Sequence, residues 1–403
     1  MDDTHPALFD AFAKNDTLLL MFTVRNDLCS RCKPITRVTS AAWTCTLPGQ
    51  PAERGVLIVN RAGGVNTIVL KCKIPASLPN SNLSIGETVS VSYAEAGTGT
   101  GRRYYRDVPF CRYPGPKDWA QGVARAADDS ERGAGRPPVP LAACTMIRSN
   151  LTRYSKRDAD LLVEWIAYHR LQGVGHFLIF AHEEAAPLRR LLAAYIAEAL
   201  VVVVDWESPP YKLPISRRGV DFVPYQFLQT TSCLHRYRGL AEWVGLFDID
   251  EFMQPLAPGA TVRSTVFEAA AAADARDPDV AALKVAGVYF FEREVRRWGN
   301  SSLMTQRHRK RSSEWRFTVS KCFGRPERIQ LYLQHFPAMS GAVVELDPVL
   351  VMRFNHYRDQ RFNGVEDASM AQYRAAIETE IGRNYRQAKN GTLLPLSVWA
   401  SGL

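Results

Sequence analysis

An apolar run ends in two carboxylates in the segment Trp243-Val-Gly-Leu-Phe-Asp248-Ile-Asp250-Glu251-Phe252. On an extended strand, residues two apart project onto one face. Hard oxygen donors so placed suit Mn²⁺ or Mg²⁺, with water and phosphate oxygens completing the shell. Two other Asp-x-Asp pairs, Asp158-Ala-Asp160 and Asp277-Pro-Asp279, read as a helix start and a loop. Asp248 and Asp250 differ because the run before them is apolar enough to be buried, where unpaired charge is costly unless it is used. Capping of a helix or loop is the structural alternative.

Two reactions use such a pair. Phosphatases of the haloacid dehalogenase type place a nucleophilic Asp at a strand end but expect Thr or Val four places later, where this chain has Phe252. The other reaction moves a sugar from a nucleotide diphosphate, and there a metal neutralises the departing diphosphate.

The elements around the motif must position it. From about Ala142 the pattern alternates between strands and helices: a strand at 144–148, an amphipathic helix at 158–172, a strand at 176–180 and a helix at 186–199. A strand at 200–205, a helix at 226–238 and the strand at 242–248 follow. Along the first helix, Leu161, Leu162, Trp165, Ile166 and His169 share one side, and Gly173 stops it. This alternation implies a mostly parallel sheet covered on both faces, with ligands outside the carboxyl ends of its strands. A helix at 262–275, strands at 281–291, 317–323, 329–336 and 348–355, and a helix at 366–386 complete the reading.

The first third reads differently. Segments 17–24, 55–60, 66–74 and 87–93 are β-branched and apolar, with turn residues between them. The expected organisation is a β-rich domain at 1–112, with a glycan-binding sandwich as its candidate form, a Pro/Gly/Arg-rich linker at 113–141, and an α/β domain at 142–403.

The order and spacing of four blocks carry a family resemblance. Glu164-Trp-Ile-x-Tyr-His-Arg-Leu-x-Gly173-Val-x-His176-Phe comes first, then Trp206, then Gln226-x6-Cys233-Leu-x-Arg236, then Trp243-Val-x-x-Phe-Asp248-Ile-Asp250-Glu251-Phe252. With Lys321-x4-Pro326, His335 and Asn355-His356-Tyr357-Arg358 further on, residues 143–360 resemble the family 92 glycosyltransferases, among them plant β-1,4-galactan synthases and animal core-fucose galactosyltransferases. The resemblance implies a GT-A-like nucleotide-sugar-binding fold. It also implies an inverting hexosyltransferase, most often of galactose from UDP, a Mn²⁺ or Mg²⁺ cofactor, and an oligosaccharide, polysaccharide or glycoprotein acceptor. Asp248 and Asp250 are then expected to hold the metal with His356, His335 being the reserve. Arg236, Gln226 and Lys321 are candidates for the donor. The general base falls among Glu292, Glu294 and Glu251.

The chain also departs from the family where Phe180-Ala181-His182-Glu183-Glu184 replaces a Tyr-Asp-Asn-like loop that meets the nucleotide. A catalytically silent carbohydrate-binding protein on the same fold is the alternative that this substitution motivates, with a metal-dependent phosphatase behind it.

Charge and cysteines bound the setting. A net charge of +9 favours anionic partners. The densest basic run, Arg307-His308-Arg309-Lys310-Arg311, lacks any zinc-finger or RNA-recognition spacing, so nucleic acid is not expected. The cysteines at 29, 32, 45, 72 and 111 fit one or two disulfides in the N-terminal domain. N-glycosylation sequons stand at Asn15, Asn82, Asn150, Asn300 and Asn390. Both features point to a lumenal or secreted setting, and the family resemblance implies the Golgi lumen. No apolar run reaches the roughly 18 residues of a membrane span. Membrane attachment is therefore expected only through an anchor outside this chain.

Overall fold

A computed structural model describes residues 7–14, 17–24, 42–47, 51–60, 66–74, 88–94, 103–109, 111–112, 139–147, 156–181, 185–206, 223–291, 303–313, 319–332, 335, 337–358, 364–387 and 393–395. The chain forms two compact units, one from Met1–Ala120 with Ser208–Arg238, the other from Gln121–Glu207 with Gly239–Leu403.

The first unit is mainly antiparallel β. Strands β1 (Ala7–Lys14), β2 (Thr17–Val24), β3 (Ala42–Thr46), β4 (Glu53–Arg54), β5 (Val56–Asn60), β6 (Asn66–Lys73), β7 (Thr88–Ala94), β8 (Arg103–Pro109) and β9 (Cys111–Arg112) form two sheets. Their orders are β5-β6-β2-β1-β9 and β4-β3-β7-β8. A disulfide between Cys45 on β3 and Cys72 on β6 ties the two sheets together. Leu18, Leu20, Trp43, Val69, Leu70, Val89 and Val91 are buried, with Leu18/Leu20 and Val89/Val91 at the two-residue spacing that places side chains on one face of a strand. Cys29, Cys32 and the sequon asparagines Asn15, Asn82, Asn150, Asn300 and Asn390 lie outside the described residues.

The second unit opens with β10 (Val139–Ile147), α1 (Lys156–Leu171), β11 (His176–Ala181), α2 (Ala185–Leu191), α3 (Ala193–Ala197) and β12 (Val201–Asp205). Helix α4 (Val223–Tyr237) belongs to the first unit. The second unit resumes with β13 (Ala241–Leu246), β14 (Glu251–Pro255), α5 (Val262–Asp274), β15 (Val280–Phe291), the single turn α6 (Met304–Arg307), β16 (Lys310–Arg311) and β17 (Ser320–Gly324). Short strands β18 (Leu331–Tyr332) and β19 (Pro337–Met339) pair with each other. After them come β20 (Ala342–Glu345), β21 (Met352–Arg358), β22 (Val365–Glu366), a 3₁₀ turn at Ser369–Tyr373, and α7 (Arg374–Asn384).

Strands β12-β11-β10-β13 are parallel throughout, and beyond them the sheet becomes mixed. The twelve residues of β15 make the join. The early part of β15 pairs with β17 and β20, and its last five residues pair in parallel with β21, which pairs in turn with β14. The expected mostly parallel sheet is thus present, with antiparallel strands added on one side. Gly287 makes the β15–β21 approach possible, since a Cβ there would meet the Phe354 ring at 2.1 Å. Gly173 ends α1 with φ +87°, the left-handed conformation that glycine adopts without strain.

Several boundaries moved for local reasons. The helix expected at 186–199 breaks at Leu192, where φ −96° and ψ 12° leave the helical region. The strand expected from 348 starts at Met352, because the Asp347 carboxylate accepts the N–H groups of Val349 and Leu350 and builds a turn there. In the same way, Asp367 accepts from Ser369 N, and the last helix begins only at Arg374. Among the described residues of the strand expected at 329–336, only Leu331–Tyr332 have strand geometry.

Candidate functional site

The site is built where β13 ends. The strand stops at Leu246, so Asp248 and Asp250 lie in a turn rather than on the strand itself. Glu251 N–H closes that turn on the Asp248 carbonyl at 3.0 Å, and Glu251 Oε2 accepts from Asp248 N–H at 2.8 Å. The turn therefore carries its own brace, and β14 starts at Glu251.

Helix α1 fixes β14 from the opposite face. Trp165 Nε1 donates to the Glu251 carbonyl at 3.0 Å, and the Tyr168 hydroxyl donates to the Met253 carbonyl at 2.6 Å. Met253 N–H donates to His169 Nε2 at 3.3 Å, which leaves His169 Nδ1 to donate to the Trp165 carbonyl at 2.9 Å. All three rings are fully buried, and burial lowers the His169 pKa to about 3, so the imidazole is neutral. The aromatic residues of the Glu164-to-Arg170 block thus act as braces for the strand that follows the acidic turn.

Across the sheet, β21 brings His356 opposite Glu251, and β15 brings Tyr289 opposite His356. His356 Nε2 lies 3.3 Å from Asp250 Oδ2, and Nδ1 lies 3.6 Å from Glu251 Oε1. The imidazole is 4% exposed, and neither ring nitrogen has a hydrogen-bond partner. Tyr289 stacks on it with ring centroids 5.1 Å apart. One ligand atom each from Asp250, Glu251 and His356 lie within 4.8 Å of one another. Tyr357 N–H holds the Asp250 carbonyl at 2.8 Å and so fixes the second aspartate to β21.

Lys321, on β17, points its ammonium into the same cluster. Its Nζ lies 2.9 Å from Asp248 Oδ2 and 3.1 Å from Glu251 Oε2, with only 2% of the side chain exposed. Burial disfavours the charged amine, but the charges of Asp248 and Glu251 outweigh it and hold its pKa above the ordinary range. Burial pushes the Glu251 carboxyl up, and Lys321 works against that rise. His335 stands apart from the three-residue group: its Nδ1 lies 3.0 Å from the Ser320 carbonyl, and burial and Lys321 lower its pKa.

The structure thus gathers Asp248, Asp250, Glu251, Lys321 and His356. Gln226 and Arg236 belong to α4 in the first unit, where Gln226 is buried and Arg236 Nε donates to Ser232 Oγ at 3.2 Å. Glu292 and Glu294 fall outside the described residues, as does the 182–184 part of the loop that departs from the family pattern. Tyr289 was not among the expected site residues; it is the first of three consecutive aromatic residues, Tyr289-Phe290-Phe291, that end β15. The basic run is partly neutralised, since Arg311 Nε pairs with Asp367 at 2.9 Å.

Two carboxylates and an imidazole with both nitrogens buried and unsatisfied make a donor set that fits a divalent cation. Buried imidazole nitrogens are normally partnered, and here, among the described residues, neither has a hydrogen-bond partner and the two carboxylates face them. Among the described residues no helix is long and apolar enough to cross a membrane.

Comparison with known proteins places the chain. The Glycosyltransferase family 92 profile matches residues 152–393. A glycosyltransferase family 92 protein of Ricinus communis is 26% identical over 184 residues, covering 46% of this chain and 27% of that protein. The galactan beta-1,4-galactosyltransferase GALS1 of Arabidopsis thaliana is 31% identical over 119 residues, covering 28% and 22% respectively. The chain spans about a quarter of the length of these curated relatives. A crystal structure of S. aureus TarS 1–349 is similar at 10% identity and a TM-score of 0.28, covering 60% of this chain and 65% of that one; a likeness so faint carries no argument. The family profile takes in more than half of the chain and contains the whole acidic cluster, and on that match this chain belongs to glycosyltransferase family 92.

Proposed function

We propose that the second unit is an inverting, metal-dependent hexosyltransferase that moves galactose from UDP-galactose to a glycan hydroxyl. The observation that carries this reading is His356, buried, facing Asp250 and Glu251, with neither ring nitrogen hydrogen-bonded. The family membership and the galactosyltransferase relatives support the sugar chemistry. The GT-A-like reading is supported by the acidic turn, which follows the carboxyl end of β13 in the parallel half of the sheet, the place where open α/β sheets take their ligands.

In this reading Asp250, Glu251 and His356 hold Mn²⁺ or Mg²⁺, and the imidazole favours Mn²⁺. The bound cation would supply charge neutralisation for the leaving diphosphate. Asp248, held toward Lys321, keeps the turn in shape and can meet the donor at its half-buried edge. Lys321 stabilises two carboxylates that burial would otherwise make costly. Glu251 is 1% exposed and engaged by Lys321 and the Asp248 N–H, which suits a holding role better than that of a base. The base that takes the acceptor proton then falls to Glu292 or Glu294, which follow β15 directly. Residence in an oxidising, glycosylating lumen such as the Golgi fits the Cys45–Cys72 disulfide and the five sequons.

The test is UDP release from UDP-galactose, UDP-glucose, UDP-N-acetylglucosamine, UDP-xylose and GDP-mannose, with a glycan acceptor and either Mn²⁺ or chelator. Metal-dependent release from UDP-galactose is expected. Silence on every donor, together with no thermal stabilisation by Mn²⁺ and UDP, would favour a carbohydrate-binding protein instead.

A further inference from the structure

We propose that Arg358 is the cation that receives the donor's diphosphate; this rests on the nucleotide-sugar reading above. The argument begins with charge. The acidic cluster sets three carboxylates, from Asp248, Asp250 and Glu251, against one buried ammonium, that of Lys321. A dication bound there brings the cluster to neutrality and leaves no surplus positive charge for an incoming diphosphate. Lys321 cannot supply it, because it is 2% exposed and already contacts two carboxylates at 2.9 and 3.1 Å. A further cation must stand at the rim.

The sheet shows where. Side chains alternate along a strand, so Phe354, His356 and Arg358 on β21 share one face, as do Gly287, Tyr289 and Phe291 on β15. The pairings Gly287↔Phe354, Tyr289↔His356 and Phe291↔Arg358 put them in three successive rows. The middle row runs Glu251, His356, Tyr289 across β14, β21 and β15, and it is the row of the cluster. The next row holds Arg358 and Phe291, and the Tyr289 ring lies against both His356 and Phe291, with centroids 5.1 and 6.3 Å away.

Arg358 therefore follows His356 on the same face after about 6.6 Å of strand, a span that a diphosphate and an arginine side chain bridge easily. It is the exposed end of an otherwise buried strand, and among the described residues no acceptor engages its guanidinium. Other arginines of this unit are occupied: Arg311 and Arg353 by Asp367, Arg325 by Asp274, Arg170 by Glu198 and Glu380. Lys310 ends the same row but stands opposite Glu366 on β22. A guanidinium that no described residue engages, beside a cluster that would hold a dication, matches the paired oxygens of a diphosphate.

The experiment is calorimetric titration of the full chain with UDP at saturating Mn²⁺, comparing the native protein with Arg358→Ala, Arg358→Lys and, as a distant control on α2, Arg190→Ala. Arg358→Ala is expected to weaken UDP binding roughly 10- to 100-fold, the range of a lost charge-assisted pair, with Mn²⁺ affinity in the absence of nucleotide and the melting temperature unchanged. Arg358→Lys should recover part of the loss, and Arg190→Ala none of it should show. UDP binding by Arg358→Ala within twofold of native would overturn the assignment while leaving the transferase reading intact, as would an equal loss in Arg190→Ala. A native chain that binds no UDP with Mn²⁺ would bring down both.

Discussion

Glu251 and Glu164 are both almost wholly excluded from water, at 1% and 2% exposure, and burial raises both carboxyls. Their surroundings differ. Glu164, on α1, accepts hydrogen bonds from neutral donors, Met304 N–H at 2.6 Å, Thr305 N–H at 3.0 Å and the Thr305 hydroxyl at 2.6 Å, while the Arg307 charge acts on it more weakly. These cap the single turn α6 and consume the carboxylate's oxygens. Glu251 is met by an ammonium, by one N–H and by an imidazole that also faces Asp250 and whose two nitrogens have no hydrogen-bond partner. The first arrangement is closed and acts as a joint between two elements. The second is charged, adjoins half-exposed Asp248 and Asp250, and still has donor atoms to offer. Burial of a carboxylate does not by itself mark a site; the unsatisfied partner beside it does.

The sharpest break of this contrast comes from His356→Ala. It should lower Mn²⁺-dependent transfer about a thousandfold, the scale of losing a central electrostatic element, and abolish stabilisation by Mn²⁺ in thermal denaturation. Glu164→Gln should leave that Mn²⁺ shift in place, and loss of the shift in both variants would erase the distinction. Lys321→Met comes next. It strands two carboxylates, one of them fully buried, and should cost about 3–5 kcal/mol in denaturant unfolding. A change below about 1 kcal/mol would mean that Glu251 is held by its other contacts.

A third test uses pH. Burial, opposed by the donors of Thr305 and Met304, raises the Glu164 pKa from 4.5 to about 7. Below pH 4.5 the group is protonated whether folded or unfolded, and its contribution to stability is fully present. Between 4.5 and 7 only the unfolded chain loses the proton, so stability declines by up to about 3 kcal/mol, and the contribution is gone above pH 7. Unfolding midpoints across that window should show the decline in the native chain and lose it in Glu164→Gln; an unchanged slope in the variant would assign it to other groups. The smallest effect belongs to Thr305→Val, which removes one of three donors and should cost about 1–2 kcal/mol by thermal unfolding, with no change in Mn²⁺ affinity.

Much of the frame was legible beforehand because its signals are local. The apolar face of α1, the helix α5, the runs of β11, β12 and β13, and the Gly173 stop follow from periodicity and backbone preference, and they appear within a few residues of expectation. Boundaries failed where a side chain competed for backbone donors, as Asp347 and Asp367 do. Within the site, the Asp248-x-Asp250 spacing drew attention correctly, but its geometry did not follow from a strand, because Glu251 folds back to brace a turn. Trp165 was readable on the apolar side of α1, but neither it nor Tyr168 was readable as a donor that holds β14.

What the sequence determined by itself is therefore the order of elements, the acidic motif at the end of a buried strand, and the family, all of which depend on residues near one another in the chain or on their spacing. The tertiary structure decided which partners met. Lys321 lies 73 residues beyond Asp248, and the contact exists because β17 pairs with β13. His356 faces Glu251 through the register of β14 on β21, and one residue of slip would have turned its ring to the other face. Register is a property of the assembled sheet, set by packing over many residues at once, and no local pattern carries it.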